Sequence, residues 1–319
     1  MVSAAQSASP SVALIHSQVV AGLTVIINPI SGTGGRLDAA TARARQAAGF
    51  IASRGGDPSS VFVTERPGHA RDLAAAAVSR GDSTVVAWGG DGTMNEVGSA
   101  LAFTSTSMAI VPSGSGNGLA RELKIPFDAA AALDVARTGR DRVIDAGEVD
   151  GRLFFNLAGI GFDAHVAHRF AAGGLGRRGF SRYLEITLRE LATYQPEQIT
   201  ITVGSSSVTT SALLVAIANG RQYGNGALVA PRAQLDDGRL DVIVIAHRPA
   251  LRALCQIPRV FVGRIADVPG VTMQAVEAVT ISSPSPLLYH LDGEPIAGGL
   301  NLIARSRPRA LKIKVPAQR

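Results

Sequence analysis

Cysteine, lysine and aromatic residues are scarce in this chain of 319 residues. Cys255 is the only cysteine, which excludes an internal disulfide framework and a metal site built from several cysteines. Of the 31 basic residues only Lys124, Lys312 and Lys314 are lysines, and the formal net charge is a modest +6. A nucleic-acid-binding protein usually carries a denser basic stripe, so no nucleic-acid partner is predicted.

Charged residues are also missing from the first 35 positions, so the basic segment of a secretory signal is absent there. The apolar run Val19–Ile27 is shorter than the roughly 20 residues that span a bilayer. Residues 1–19 are predicted to be disordered. We therefore expect a protein of the cytoplasm.

Apolar residues are plentiful, with 46% hydrophobic against 18% charged positions. This composition supports sizeable cores and excludes a largely disordered chain, and the length predicts about two domains. Cys255 lies among Leu251, Leu254 and Ile257, so it is interpreted as a core residue rather than a reactive thiol.

Short β-type runs alternate with helical patterns in the first half, which predicts βαβ units and a parallel sheet covered by helices. Beyond residue 145 β-type runs dominate, interrupted by helical patterns near Ser181–Tyr194 and Ala250–Val262, which predicts a mostly antiparallel β domain. The predicted first domain comprises residues 20–146 with residues 306–319, because the run Leu311–Val315 returns to it. The second comprises residues 147–305.

A glycine-rich segment follows one predicted strand and opens a predicted helix: Trp88-Gly89-Gly90-Asp91-Gly92-Thr93-Met94-Asn95-Glu96. Glycines let backbone N–H groups approach an anion closely, and a helix N-terminus adds partial positive charge. Asp91 stands where a Mg²⁺ on phosphate oxygens could be held, directly or through water. A capping box from Thr93 to Glu96 is the alternative, but it leaves the three glycines unexplained. Phosphate binding is therefore favoured.

Two more glycine-rich loops follow predicted strands, at Asn28–Gly35 and Pro112–Arg121. Three such loops at the ends of parallel strands favour a polyphosphate cleft over three unrelated turns. Neither loop is a Walker A motif, and the first lacks the GxGxxG dinucleotide fingerprint.

With these motifs, and with Gly159-Ile160-Gly161-Phe162-Asp163 and Leu291-Asp292-Gly293-Glu294-Pro295 after them, the chain resembles the diacylglycerol kinase catalytic-domain family. This family includes bacterial diacylglycerol kinases, related bacterial lipid kinases and the sphingosine kinases. The resemblance covers about residues 22–316. It implies an α/β N-terminal domain with a Rossmann-like parallel sheet, of the NAD kinase and phosphofructokinase type. It also implies a mostly antiparallel, β-rich C-terminal domain that binds lipid.

The resemblance implies an ATP- and Mg²⁺-dependent kinase that phosphorylates a lipid hydroxyl, with a diacylglycerol-like acceptor favoured over a sphingoid base. Glu294 would be the general base and Asp292 would help to position Mg²⁺, which completes a catalytic set with Asp91. On composition alone, Asp292-Gly293 would be a hairpin turn. Thr64 begins residues 64–70, a further segment that resembles the family. An N-cap region of the helix that follows the second predicted strand explains Thr64 almost equally well. The residues expected to contact the nucleotide are Asn28, Thr64, Gly89, Gly90, Asp91, Gly92, Thr93, Met94, Asn95 and Ser115.

A second cation site is implied by Gln234–Arg239, which is similar to a loop that binds a structural Mg²⁺ in bacterial members. Gln234, Asp237 and Arg239 would form it, with Asp237 giving its carboxylate and backbone carbonyls completing an oxygen set that suits a hard cation. A hairpin turn at Asp237-Gly238 explains the segment equally well, and both interpretations stay open. His290 is interpreted as a strand-end histidine without a role.

Gly118 departs from the family pattern. Many bacterial members have an aspartate directly after the asparagine of this loop, whereas the sphingosine kinases lack an acid there. No metal–water role is therefore expected at this position, and the preference for diacylglycerol is weakened.

The segment Arg177–Tyr183 combines three arginines with two aromatic residues, and Leu184, Leu188 and Leu191 follow at helical spacing. Contact with an anionic membrane would suit a lipid kinase. An ordinary amphipathic helix with a solvated arginine edge is slightly favoured. The expected partner is a lipid substrate at a membrane surface. Peripheral contact with the inner face of that membrane and a homodimer both stay open.

Two other functions stay open. A kinase of a soluble acceptor, like the NAD kinases, would share the loop at residues 89–93. It would not explain Leu291–Pro295 together with Ser115–Asn117. A nucleotide or lipid sensor without activity would need no base, so the presence of both Asp91 and Glu294 argues against it.

Overall fold

The computed structural model describes residues 22–32, 37–53, 55–172, 180–191, 193–249 and 255–317. In these ranges the helices are α1 (Leu37–Ala52), α2 (His69–Arg80), α3 (Asp91–Leu101), α4 (Gly118–Glu122), α5 (Ala129–Thr138), α6 (Phe162–Ala172), α7 (Phe180–Leu191) and α8 (Ile257–Phe261).

The strands of the N-terminal half are β1 (Leu23–Ile27), β2 (Val61–Val63), β3 (Thr84–Gly89), β4 (Ser107–Pro112), β5 (Arg140–Val149), β6 (Arg152–Phe154) and β7 (Leu157–Gly161). Those that follow are β8 (Gln198–Val203), β9 (Ser206–Ala218), β10 (Gln222–Gly224), β11 (Ala227–Leu228), β12 (Leu240–Ala246), β13 (Val271–Val276), β14 (Ala278–Ser282), β15 (Leu288–Leu291), β16 (Glu294–Ala297) and β17 (Asn301–Val315).

The N-terminal unit is a parallel sheet in the order β2-β1-β3-β4-β17, with helices packed against it. Strands β3 and β4 are buried along their whole length, as expected for central parallel strands covered on both faces. Local signals delimit the helices. Gly81 ends α2 in a left-handed conformation, and the side chain of Asp128 accepts the N–H of Ala131 at the start of α5.

The second unit is built from antiparallel pairs. β9 pairs with β7, β8 and β12, while β15 pairs with β7 and β16. A separate apolar core lies between its strands. The parallel α/β unit followed by antiparallel strands confirms the predicted fold class.

Strand β17 belongs to both units. Its first residues pair antiparallel with β14, its length pairs with β5, and Ile313 pairs parallel with Met108 of β4. A bulge at residues 307–311 separates the two parts. The predicted run Leu311–Val315 is therefore the last part of one long strand that begins at Asn301.

Three local predictions were wrong or incomplete. Helix α6 was not predicted, since its sequence was interpreted only as a motif. The predicted helix Ala250–Val262 is described only as α8, because residues 250–254 lie outside the described ranges. Cys255 is exposed rather than buried in a core, because it lies in a turn ahead of α8.

The predictions for residues 1–19 and for the side chains of Arg177, Arg178 and Arg182 also lie outside what is described. Among the described helices, none is both long and apolar enough to cross a bilayer.

Candidate active site

The three glycine-rich loops meet at the carboxyl edge of the parallel sheet. The side-chain amide of Asn28 donates to Oγ1 of Thr93 at 2.9 Å, which joins the first loop to the start of α3. The hydroxyls of Ser31 and Ser113 lie 2.7 Å apart and join the first loop to the third. The predicted convergence of these segments is therefore observed.

The second and third loops touch through glycines. A Cβ on Gly114 would lie 2.6 Å from the Cα of Gly90, and a Cβ on Gly90 would lie 3.1 Å from the Cα of Gly114. Asn117, in a left-handed conformation, closes the third loop with its side chain bonded to both backbone groups of Gly114. Gly90 and Gly114 are thus required by the packing of the two loops against each other.

Asp91, at the start of α3, holds the third loop in place through hydrogen bonds. Its two carboxylate oxygens accept the N–H groups of Asn117 and Gly118, each at 2.8 Å, where α4 begins. Removal from water, and then the nearby charge of Asp292, raise the pKa of Asp91 to about 6, against the opposing effect of these hydrogen bonds. The hydrogen bonds of Asp91 therefore give it a structural role in holding the third loop. A carboxylate offers about four acceptor positions, and the N–H groups of Asn117 and Gly118 use two of them, so Asp91 fits a hard cation such as Mg²⁺ nearby.

Glu96 does not form the capping box considered for α3. Its carboxylate instead accepts the N–H groups of Gly68 and Ala70, at 3.0 and 3.1 Å, and so caps the start of the neighbouring helix α2. The capping-box interpretation is wrong because the N-terminus of α3 has Gly90 as its cap, without a side-chain hydrogen bond.

Asp292 is the anchor of a hairpin turn. Its carboxylate accepts the N–H groups of Phe155, Asn156 and Leu157 and the side-chain amide of Asn95, all at 2.9–3.0 Å. Burial raises the pKa of this carboxyl despite the four donors. Two donors on each oxygen use the acceptor positions of this carboxylate, so the role of Asp292 in positioning Mg²⁺ stays a prediction and would have to be indirect. The hairpin-turn interpretation is correct, since Leu291 pairs with Glu294 across Asp292 and Gly293.

Glu294 reaches from this turn over the start of α3. A Cβ on Gly92 would lie 2.5 Å from Oε1 of Glu294, so the carboxylate fits only because residue 92 has no side chain. Glu294 is exposed to solvent. The predicted base therefore lies against the glycine-rich loop, about 200 positions away in sequence.

The other predicted nucleotide residues fall into two groups. Thr64 and Ser115 lie at the loop edge; Thr64 follows β2 and Ser115 is exposed. Met94 is 2% exposed in the core, so its side chain is not available to a ligand. The amide of Asn95 donates to Asp292 and to the carbonyl of Leu153 and connects the two units. A nucleotide contact of Met94 would therefore come from its backbone, and the predicted contacts of Thr64, Asn95 and Ser115 stay predictions.

Comparison with known proteins decides the family. A model described as the diacylglycerol kinase catalytic domain matches residues 22–149, and one described as the YegS C-terminal NAD kinase beta sandwich-like domain matches residues 156–315. A Pseudomonas putida protein named "Probable lipid kinase YegS-like" is 34% identical over 263 residues, covering 81% of this chain and 85% of that protein. The chain belongs to the diacylglycerol kinase catalytic-domain family.

Other members of the family and more distant folds agree with this. A Mycobacterium tuberculosis protein named "Diacylglycerol kinase" is 30% identical over 305 residues, covering 92% of this chain and 95% of that protein. A crystal structure titled as a diacylglycerol kinase from Bacillus anthracis covers 92% of this chain and 96% of that chain, with a TM-score of 0.69 at 17% identity. An NAD kinase from Archaeoglobus fulgidus in complex with ATP covers 92% and 93%, with a TM-score of 0.51 at 9% identity. These two structures share the fold.

Gly118, where the sequence differs from the family pattern, packs tightly against Asn156. A Cβ on Gly118 would collide with Nδ2 of Asn156, which donates to the carbonyl of Gln222 at 2.7 Å. The space that an aspartate side chain would need is therefore filled by the Asn156 amide.

The loop implied as a second cation site in the family is held by a residue that sequence reasoning missed. Asp145, 2% exposed, accepts the N–H groups of Gly238 and Arg309, each at 2.7 Å. Oδ1 of Asp237 accepts the N–H of Arg239 at 3.0 Å, as in a turn. In the described residues, no three His, Cys, Asp or Glu side chains group as metal ligands, but a site with one carboxylate and carbonyls would not require that. Both interpretations of Gln234, Asp237 and Arg239 remain open.

Arg43 is a second residue that the sequence did not indicate. Its guanidinium donates to the carbonyls of Asn28 and Ser31 and to the Ser31 hydroxyl, at 3.0–3.2 Å. It therefore holds the first loop in place from α1. Its helical position carries no local signal, so only tertiary structure reveals this role.

Proposed function

We propose that the protein is an ATP- and Mg²⁺-dependent lipid kinase that transfers the γ-phosphate to a hydroxyl group of a diacylglycerol-like acceptor. The observation that carries the proposal is the carboxylate of Glu294 against Gly92. A proton acceptor lies there beside a glycine-rich loop at a helix N-terminus, where phosphate groups bind well. Family membership supplies the reaction class.

The chain's own residues would act mainly by positioning. Backbone N–H groups of the three glycine-rich loops would bind the phosphates, and Asp91 would keep the third loop closed. Phosphoryl transfer depends on alignment and charge neutralisation more than on covalent help from the protein. Mg²⁺, when bound, would neutralise phosphate charge, with Asp91 as the carboxylate that holds it through water. Glu294 would align the acceptor hydroxyl and take its proton, which contributes about 10²–10⁴-fold.

A small cavity offers a place for part of an acyl chain. It measures about 210 Å³ and lies among β7, β8 and the segment that enters β15. Apolar side chains of Ile160, Ile199 and Leu287 contribute to its lining, together with the polar residues His165, Gln195 and Glu197. β15 runs from this cavity to the turn before Glu294, so a chain bound here would direct its head group along β15.

Access to a membrane is a further part of the proposal. Helix α7 carries apolar residues at helical spacing, and Leu188 is 46% exposed. Arg177 and Arg178 precede it in the sequence, and Arg182 is its third residue. We expect R177E/R178E/R182E to bind anionic vesicles more weakly than the wild type. Unchanged binding would reject this segment as a membrane contact.

The decisive experiment is transfer of labelled γ-phosphate from ATP with Mg²⁺ into organic-extractable product. Mixed micelles would carry diacylglycerol, monoacylglycerol, ceramide and sphingosine in parallel, and soluble acceptors would form a separate arm. E294Q should lose at least about 100-fold in kcat while still binding ATP. E277Q, at an exposed position, is the matched control and should keep full activity.

Each outcome of this assay has a meaning. Label in one lipid with wild type and E277Q, lost in E294Q, supports the proposal and identifies the acceptor. Label only in a soluble acceptor would support a kinase of the NAD-kinase type. ATP binding without transfer to any acceptor would support a sensor.

A further inference from the structure

Asp163, Tyr223 and His290 form a polar cluster behind the turn that carries Glu294. Nε2 of His290 lies 3.1 Å from Oδ2 of Asp163 and 3.0 Å from the hydroxyl of Tyr223. The Tyr223 hydroxyl also donates to Oδ2 of Asp163 at 3.3 Å. His290 and Asp163 are only 2% and 6% exposed. None of the three has a role in nucleotide or metal binding or in proton transfer as derived above.

The opposite side of the His290 ring faces the turn. Nδ1 of His290 accepts the N–H of Gly293 at 3.3 Å. A ring nitrogen that accepts a hydrogen bond carries no proton, so the proton of the neutral ring is on Nε2, which faces Asp163. Asp163 is itself fixed, because its other oxygen accepts the N–H of Ala164 at 2.8 Å in the first turn of α6. The cluster therefore sets which nitrogen Gly293 meets.

The backbone leaves room for this cluster at one position. A Cβ on Gly159 of β7 would collide with both Oδ2 of Asp163 and Nε2 of His290. A glycine here lets a central strand pass directly over a pair of polar side chains. The close approach explains why a strand interior contains a residue that otherwise weakens strands.

We infer that His290 is a positioning residue for Glu294. It connects the fixed carboxylate of Asp163 to the N–H of Gly293 and so sets the direction in which the turn presents Glu294 over Gly92. The turn is then held on both of its central residues, by four donors at Asp292 and by His290 at Gly293. This inference rests on the proposed function, because Glu294 is a base only if the protein is a kinase.

Two substitutions of similar size separate the two sides of the ring. In H290N the side-chain oxygen can take the place of Nδ1 and accept the N–H of Gly293, while the contacts to Asp163 and Tyr223 are lost. In H290Q the amide can take the place of Nε2 and meet Asp163, while the acceptor for Gly293 is lost. Y223F is the matched control, since it removes one hydroxyl and leaves the connection from Asp163 to Gly293 intact.

We expect H290Q to lower kcat by about 10- to 100-fold with an unchanged KM for ATP, because small displacements of a reacting group have effects of this size. H290N should recover most of that loss, and Y223F should stay within about 3-fold of wild type. Hydrogen exchange at the Gly293 amide gives a readout without turnover. It should be faster in H290Q and close to wild type in H290N.

The inference is overturned if H290Q keeps wild-type kcat, or if H290N and H290Q lose activity equally and in proportion to their loss of thermal stability. If the wild type phosphorylates no acceptor at all, the proposed function has failed rather than this inference. The exchange rate at Gly293 then decides alone: equal rates in wild type and H290Q would show that His290 does not hold the turn.

Discussion

Oε1 of Glu294 lies 2.5 Å from the place that a Cβ on Gly92 would occupy. Gly92 is the second residue of α3, where alanine is intrinsically favoured over glycine by roughly 0.5–1 kcal/mol. We therefore expect G92A to keep or raise the thermal midpoint, while kcat falls at least about 10-fold because Glu294 is displaced. Steady-state kinetics and thermal denaturation of the same preparation would measure both.

G49A is the control for this prediction. Gly49 lies in α1, and a Cβ there would meet no atom within 4 Å. It should therefore show the gain in stability alone, with unchanged activity. A G92A variant as active as G49A would mean that Glu294 is not the base.

Asp91 predicts a pH dependence of stability. Its pKa is about 6 in the folded protein and 3.8 as a reference for the unfolded chain, so the folded protein binds more protons between these values. The contribution of Asp91 to stability therefore falls as pH rises through this window and is constant above it. Relative to D91N, the wild type should lose about 2–3 kcal/mol of unfolding free energy across the window. Urea denaturation at a series of pH values measures it, and a constant difference would contradict the raised pKa.

The packing at Gly118 predicts that an aspartate at this position is harmful. In G118D the new side chain meets the amide of Asn156, and such overpacking usually costs about 1–3 kcal/mol. We expect a lower thermal midpoint and no gain in activity. G118D/N156A, which frees the space, should be less destabilised than the sum of the single variants. Strict additivity would mean that the two residues do not compete.

The open question at Gln234–Arg239 is settled by titration with Mg²⁺. If Asp237 binds a cation, Mg²⁺ should raise the thermal midpoint of the wild type through binding to the folded state alone. The part of the rise that comes from this site should disappear in D237N. D236N is the matched control, because Asp236 is the neighbouring acid and pairs with Arg142 at 2.9 Å. Equal behaviour of D237N and D236N would leave the segment as a turn.

The loops could be predicted from sequence because their signals are local. A buried apolar run followed by glycines ends a strand, and the segment after Trp88 does open α3 at Asp91. The family motifs then bring Glu294 to the same site, which no local pattern would have done.

The direction in which the acids face could not be predicted. Asp91 and Asp292 occur in segments whose composition suits metal ligands, yet their oxygens accept N–H groups 26 to 197 positions away. Asp145 lies in an ordinary β-type run, so nothing in the sequence indicates that it holds two distant segments. Contacts of this kind depend on the packing of whole strands.

Strand β17 sets an order for the assembly of the molecule. The strands β1 to β4 of the parallel sheet are synthesised within the first 112 residues. The second neighbour of β4, on the side away from β3, is synthesised only with residues 311–315. Until then β4 is an open edge, which is a template for pairing with other chains. Domains usually fold one after another as they leave the ribosome. Here the parallel sheet is synthesised first but receives its last strand only when residues 311–315 have been made. Chains that end before those residues would therefore have an incomplete sheet.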